Sequence, residues 1–495
     1  MIKEFVEKHD RPVHRFLEIL PGTFSWSLIL FPVWGSLWIP HYVAYYIILF
    51  DVLWFYKSGS LALTSVLSHL KLNAAKRYDW LADARRLPDF GRVHHLIVIP
   101  TYKEPIHTIE KGLDSLANQD MPGKQVSVCL AFEDREGKEA RDKAAVLALK
   151  YKRAFANFMV TYHPDIDGEV KGKSSNEAYA GKLAKKLLVD KQKRNIDYIT
   201  VTSKDADGIF DEKYLSCLTY KFLTSEQKYL SFWQPIVLFY NNIWKIPAPI
   251  RVMSSLSSVW QTGLNIRRDR LVNYSMYSLS MKLLDDVGWW DVDVIPEDYR
   301  IFFKCFFARD GKVEVDPIFL PVYADAAEST SYFKSLVNLY EQEKRWAWGV
   351  SDDSYFIKKW LTHTHIPFWR RTVRVFKVLE DHFLWPVNWF AITLGATIPV
   401  LLNPTFAQTV MGQNLPRISF GILTACWAFL VVILIIDLRQ RPKREDVRLI
   451  RKLTMPLEFM LMPLVTFIFT ALPGIDAHTR LMLGKYLEYK VTEKV

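Results

Sequence analysis

Leu96-Ile97-Val98-Ile99 runs without a break into Pro100-Thr101-Tyr102-Lys103-Glu104-Pro105. Four consecutive apolar residues, three of them β-branched, suit a strand buried on both faces, and the polar turn behind them ends it. The theme recurs at residues 126–132, 158–162 and 198–202, with helical segments such as Ile106–Ala117 and residues 174–188 between the runs. Strand alternating with helix predicts an α/β domain around a parallel, doubly wound sheet. Such sheets bind ligands beyond the carboxyl ends of their strands, so the residues just after each run carry the functional information.

Outside this region the pattern changes. Half of the 495 residues are hydrophobic, yet mean hydropathy is only +0.01, because the apolar residues gather toward the two ends. Residues 24–40 and 42–56 read as a transmembrane hairpin, each close to the roughly 17–25 residues a span needs, with Trp26, Trp34, Trp38 and Trp54 as interfacial aromatics. Asp51, inside the second run, is costly in lipid and is expected to face another helix or the membrane edge. Three more apolar runs follow at residues 384–402, 418–438 and 453–472, preceded by an amphipathic basic stretch at 368–377. The last run holds Glu458, Pro456 and Pro463, with Pro473 directly after it, which points to a re-entrant or interfacial hairpin. The expected organisation is a membrane hairpin over 1–70, a cytosolic domain over 71–360, and an interfacial helix with further membrane segments over 361–495.

The net charge of +11 does not indicate nucleic acid. Arg439, Arg441, Lys443, Arg444, Arg448, Arg451 and Lys452 crowd against an apolar run, as expected for lipid headgroups and for a loop kept inside. Four cysteines with no CxxC pair argue against a zinc site and a disulfide framework. The charged opening residues lead to no small-residue cleavage site, so no removable leader is expected. The expectation is an integral membrane protein of the plasma (inner) membrane with its middle domain in the cytosol.

Each candidate motif has a plain structural reading beside the chemical one. The turn bearing Thr101 and Glu104 could simply lead into a helix. Glu133-Asp134 ends the second run, where a carboxylate can accept from a nucleobase or ribose, though acidic loops are common. Gly172-Lys173-Ser174-Ser175-Asn176 opens a helix and suits a pyrophosphate, or only caps that helix. In Ser203-Lys204-Asp205-Ala206-Asp207-Gly208, Asp205 and Asp207 stand two apart and can converge on one site. Paired carboxylates repel unless a cation lies between them, and hard oxygens select Mg²⁺ or Mn²⁺ shared with substrate phosphates. Pro296-Glu297-Asp298 starts a helix whose dipole favours carboxylates there, and an ionised aspartate so held can act as a general base. Gln342, Arg345 and Trp346 share one helix face. The arginine can grip a diphosphate and the tryptophan can floor a sugar ring, or the pair can belong to an interfacial helix.

In this order, Asp134, Asp205-Ala206-Asp207, Glu297-Asp298 and Gln342-x-x-Arg345-Trp346 resemble the family 2 glycosyltransferases with membrane-integrated catalytic domains. That group includes the cellulose, chitin and hyaluronan synthases and the ceramide glucosyltransferases. The resemblance implies a GT-A fold, a nucleotide-sugar donor (usually a uridine diphosphate sugar), Mg²⁺ or Mn²⁺, and inversion at the anomeric carbon. It implies donor contacts at Thr101, Glu104, Asp134, Lys173 and Asp205, with Asp207 as the main metal ligand. It further implies Asp298 as the base, Glu297 in an orienting role, and Gln342, Arg345 and Trp346 framing the diphosphate and acceptor end. Tyr489-Lys490-Val491-Thr492-Glu493-Lys494 resembles the FxVTxK gating segment of cellulose synthases. The leading expectation is elongation of a polysaccharide, followed by transfer of one sugar to a lipid acceptor, and then by a non-catalytic membrane scaffold.

Overall fold

The computed structural model describes residues 2–442 and 454–488. The stretch that opened the sequence reading is β1 (His94–Thr101), and Leu96, Ile97, Val98 and Ile99 are at most 1% exposed. Burying each of these side chains contributes about 1.5–3 kcal/mol, which is why the apolar run carries no alternation. It is flanked by β2 (Val126–Glu133) and β4 (Ile199–Ser203), and β3 (Asn157–His163) lies beyond β2, all four running parallel.

The second half of the sheet departs from the all-parallel expectation. With β5 (Ile209–Phe210), β6 (Ser231–Leu238), β7 (Tyr277–Ser280) and β8 (Glu314–Tyr323), the order is β3-β2-β1-β4-β7-β6-β8-β5. β7 is antiparallel to both β4 and β6, and β5 is antiparallel to β8. Tyr277–Ser280 is only four residues long and follows an irregular loop, so it lacked the long apolar run that marked the parallel strands. The result is a mixed α/β domain held between helices at both ends of the chain.

Among the described residues, four helices are long and apolar enough to cross a membrane: Asp10–Trp38, Pro40–Arg77, Val410–Gln440 and Met455–Met482. The first two greatly exceed the 24–40 and 42–56 runs, because helical turns continue past each apolar stretch, back to Asp10 in the first and on to Arg77 in the second. The basic stretch at 368–377 and the run beginning at 384 form one helix, Phe368–Leu394, which does not number among the four. The fifth run is not a hairpin that folds back. It is a continuous helical path over Met455–Met482 in which Pro456, Pro463 and Pro473 each begin a new segment, where a missing N–H costs nothing. Glu458 is tied to Arg251 of the Ala248–Leu264 helix at 2.8 Å, so this charge is answered by the α/β domain. Asp51 is fully buried and faces Ser419 of the Val410–Gln440 helix, as expected of a carboxylate that avoids lipid. Most of the basic loop and all of the 489–494 segment lie outside the described residues.

Candidate active site

The carboxyl ends of β1, β2 and β4 open onto one cavity of about 970 Å³, and it brings together nearly every candidate residue. Thr101, Glu104, Lys173, Asp205 and Asp207 line it from the sheet, Glu297 and Asp298 from the start of the Glu297–Ala308 helix, and Gln342, Arg345 and Trp346 from the Tyr332–Ala347 helix. The loops are fixed by close packing. A Cβ placed on Gly112 would come within 2.6 Å of both the Ala206 carbonyl and Lys204 Nζ, so only glycine lets the Ile106–Ala117 helix approach the Asp205–Asp207 loop this closely. Lys204 is wholly buried, with its Nζ donating to the Asp205 carbonyl at 3.1 Å. It braces this loop from behind.

At the centre is Lys173. Its Nζ lies 2.9 Å from Asp205 Oδ1 and 2.9 Å from Glu297 Oε1, and it donates to the Ser275 carbonyl at 2.6 Å. Burial pulls the ammonium toward neutrality, but Asp205, Glu297 and Glu177 outweigh that and hold it well above the ordinary lysine range. One cation among so many carboxylates leaves the acids short of counter-charge. Burial drives Glu177 up to about 8 and Glu297 up to about 7, with Lys173 opposing both shifts.

Ser275 joins the motifs. Its backbone N–H donates to Asp298 Oδ2 at 2.9 Å, its hydroxyl to Asp205 Oδ2 at 2.7 Å, and its carbonyl receives Lys173. It does so at φ +53°, a left-handed conformation that costs a non-glycine residue on the order of 1 kcal/mol and persists because these bonds over-determine it. The N–H of Tyr299 donates to Asp298 Oδ1 at 2.8 Å, so each oxygen of Asp298 accepts one backbone donor. Burial raises the Asp298 pKa, and Lys173 and these two N–H groups restrain the rise.

Asp134 is a correction. It does not line the cavity. It stands about half exposed and pairs with Arg141 at 2.6 Å. β2 ends at Glu133, the residue that does face the cavity, and the side chain after it turns to the outer surface. The Asp205–Asp207 pair is also looser than a ready metal cage. Asp207 Oδ2 accepts from the Asp325 N–H at 2.8 Å, and Asp205 is engaged by Lys173 and Ser275. Among the described residues, no cluster of three or more His, Cys, Asp or Glu side chains is arranged to hold an ion. Two hard carboxylates facing one cavity still fit a divalent cation whose remaining ligands come from a diphosphate.

Sequence reasoning missed several groups. Ser275 sits in a loop with no recognisable pattern. Glu177 lies one turn after Lys173 and could have been found as its i+4 partner. Glu343, inside the Gln342–Trp346 motif, is buried and lines the cavity, and burial lifts it to about 8. Beyond Trp346 the cavity continues between helices. Leu423, Leu430 and Ile433 of the Val410–Gln440 helix, Trp385 and Trp389 of the Phe368–Leu394 helix, and Leu53 form its far walls.

The family model described as "Glycosyl transferase family group 2" matches residues 201–438, which contain the Asp205–Asp207, Glu297–Asp298 and Gln342–Trp346 segments. Comparison with curated proteins gave no match. Among solved structures, the chain is similar to mannosyltransferase PcManGT from Pyrobaculum calidifontis in complex with GDP-Man and Mn²⁺. The likeness is 14% identity and a TM-score of 0.42, over 77% of this chain and 100% of that one. It is also similar to residues 1–349 of S. aureus TarS in complex with UDP-GlcNAc, at 11% identity and a TM-score of 0.32, over 72% of this chain and 95% of that one. At these scores neither overlap carries weight here.

Proposed function

We propose that this protein is a membrane-embedded, inverting glycosyltransferase of the GT-A kind. It would move a hexosyl group from a nucleotide sugar, with a uridine diphosphate sugar the expected donor, onto an acceptor arriving from the membrane side. The observation that carries this reading is the single cavity joining the carboxylates at the strand ends to a chamber between membrane-capable helices. The family match over residues 201–438 supports it.

In this reading the nucleotide diphosphate lies against the ends of β1 and β4, where the Lys173 ammonium and Arg345 meet its charge. Asp207, with Asp205, would hold Mg²⁺ or Mn²⁺, which when bound neutralises charge on the departing diphosphate. The acceptor hydroxyl attacks the anomeric carbon from the face opposite the diphosphate. The new carbon–oxygen bond forms as the bond to phosphate breaks, the diphosphate leaves with the electron pair, and Asp298 takes the hydroxyl proton. A buried carboxylate is a stronger base than an exposed one, and two backbone N–H donors keep Asp298 aimed and ionised. Glu297, held by Lys173, orients rather than reacts.

Two acceptor classes fit this geometry. The unbroken apolar face of Leu423, Leu430 and Ile433 favours an amphiphile whose chain lies in the chamber. The tryptophans at 346, 385 and 389 would also stack on sugar rings, as a growing polysaccharide requires. The apolar wall makes the lipid acceptor the preferred reading. The basic loop after residue 438 supports a cytosolic catalytic domain in the plasma (inner) membrane.

The test is a panel of radiolabelled nucleotide sugars given to detergent-solubilised protein with added membrane lipids and Mg²⁺ or Mn²⁺. Label in the organic phase supports the lipid acceptor, label in a water-soluble polymer replaces it with the polysaccharide, and no turnover of any nucleotide sugar overturns the enzyme.

A further inference from the structure

We propose that His382, oriented by Asp353, is an acceptor-binding residue whose Nε2 accepts a hydrogen bond from a hydroxyl-bearing acceptor and holds it toward Asp298. This rests on the glycosyltransferase reading above and assigns a contact that none of the sequence motifs contains.

The pair is built for direction. His382 is 5% exposed and Asp353 not at all, and the ring's Nδ1 meets Asp353 Oδ1 at 2.7 Å. A carboxylate on Nδ1 fixes that nitrogen as a donor and sets the plane of the ring, which leaves Nε2 as the working atom. His382 lines the cavity, and among the described residues no hydrogen-bond partner meets Nε2. A tie between helices would use both nitrogens or pack against the second one. Here the residue facing Nε2 is Gly349, where an added Cβ would stand 3.2 Å from that nitrogen. The missing side chain keeps the ring edge open, and Gly349 itself lines the cavity.

Position gives the pair its role. The imidazole stacks on Tyr299 with 6.1 Å between centroids and 17° between planes, and Tyr299 follows Asp298 directly in the chain. On the other side, Trp385 and Trp389 lie three and seven residues further along the same helix and face the same cavity. An acceptor extending from the chamber to Asp298 therefore passes His382. The ring stands where the apolar wall ends and the carboxylates begin.

The surrounding charges define the ligand class. Asp381 pairs with Arg270 at 2.7 Å, Glu380 with Lys57 at 2.7 Å, and Asp352 with Arg300 at 2.9 Å. These neighbours answer one another, so the wall offers a single directed acceptor, Nε2, rather than a field of positive charge. That suits a neutral hydroxyl-bearing head, such as a sugar or polyol, better than a phosphate.

The experiment uses full-length protein in lauryldimethylamine oxide micelles with dodecyl β-D-glucoside as acceptor, a probe that carries both sugar hydroxyls and an apolar chain. His382→Ala and Gly349→Ala should each raise the KM for the alkyl glycoside at least tenfold, with the KM for the nucleotide sugar moving less than twofold. Gly349→Ala keeps both members of the His382–Asp353 pair and covers Nε2, moving the ring by a few tenths of an ångström, so it separates ligand contact from loss of a structural tie. His382→Gln, which can place an amide oxygen near the same point, should recover part of the loss. An unchanged acceptor KM in Gly349→Ala and His382→Ala overturns the proposal. So does a parallel rise in donor and acceptor KM, which would mark a structural role. A parent protein that hydrolyses nucleotide sugar yet never glycosylates the alkyl glycoside removes the chamber as an acceptor site, and this inference with it. A parent that turns over no nucleotide sugar fails at the earlier step, and the two failures are distinguishable.

Discussion

At one end of the cavity the functional groups follow strands: Thr101 ends β1, Glu133 ends β2, and Asp205 and Asp207 follow β4. At the other end they are faces of helices far apart in the chain, with Leu53, Trp385 and Leu430 meeting across more than 300 residues. The first end is dense with charge, and its polar atoms are tied through Lys173 and Ser275. The second is aliphatic and aromatic, with polar groups such as His382 and Asn388 only at intervals. On the proposed function, the difference separates two tasks. Stabilising a leaving diphosphate and taking a proton need groups fixed to within a fraction of an ångström, which loops on a rigid sheet provide. Holding an apolar chain needs area rather than direction, which helix faces provide.

The sharpest way to break this division is at Asp298. Asp298→Asn keeps the shape and both backbone donors but removes the basicity, so transfer should fall by at least about two orders of magnitude. Donor affinity, measured beside turnover, should stay near the parent value. Because burial raises the Asp298 pKa, the acid limb of the pH–rate profile should lie above the ordinary aspartate value of about 3.9. Activity is present above that limb, where the base is ionised, and is lost as pH falls through it. If Glu297→Gln abolishes transfer while Asp298→Asn does not, the two roles are exchanged.

A smaller effect belongs to the chamber. Leu423→Asn puts an amide on its apolar wall and should raise the acceptor KM several-fold, since one misplaced polar group in an apolar pocket costs about 1–2 kcal/mol. The donor KM should not follow. A change confined to the donor would mean that the two ends do not divide the work as described.

The two ends were also unequally legible. The parallel strands announced themselves as apolar runs, and the residues after them could be named because a strand end fixes which groups share an edge. Asp134 falls outside the cavity for the same reason that Asp205 falls inside it. Side chains alternate along extended backbone, so a one-residue difference in where β2 stops exchanges cavity for solvent. Ser275 was invisible because its role depends on a left-handed backbone within a loop of no regular period. The chamber could not be read because a helix shows its apolar face in sequence but not which helix it meets. The same gap hid the His382–Asp353 pair, whose members are 29 residues apart on different helices.

Glu177 gives a subtler test of the charge-dense end. Burial raises its pKa from 4.5 to about 8, so the folded protein binds a proton there that the unfolded chain releases. Stability from this group is fully present below pH 4.5 and is lost as pH rises toward 8. Glu177→Gln should therefore raise the heat-inactivation midpoint by a few degrees at about pH 8 and have little effect near pH 4.5, at roughly 2–4 °C per kcal/mol. The glutamine oxygen can still accept from Ser203, which donates to Glu177 at 2.6 Å, so the variant removes charge without removing that bond. Equal midpoints across the pH range would show that Lys173 keeps Glu177 ionised throughout.

The smallest expected effect is at Asp134, and it tests whether the strand-end rule locates donor contacts. Asp134 and its partner Arg141 are each about half exposed, and a pair of that kind contributes roughly 0–1 kcal/mol because water screens it. Asp134→Ala should leave the donor KM within about twofold and the inactivation midpoint nearly unmoved. Glu133 differs on both counts. It is 5% exposed, lines the cavity, and is held by Arg135 at 2.5 Å, a geometry that fixes one oxygen and leaves the carboxylate able to accept from a ribose or base. Glu133→Ala also leaves Arg135 without that partner, so some loss could arise from packing. Glu133→Gln keeps an acceptor oxygen and should fall between alanine and parent if hydrogen bonding to the nucleotide is what matters. The ordering Glu133→Ala, then Glu133→Gln, then Asp134→Ala in donor KM supports the cavity edge drawn from the end of β2. A donor KM that rises more in Asp134→Ala than in Glu133→Ala would reverse it, requiring the loop after β2 to turn inward when the nucleotide binds.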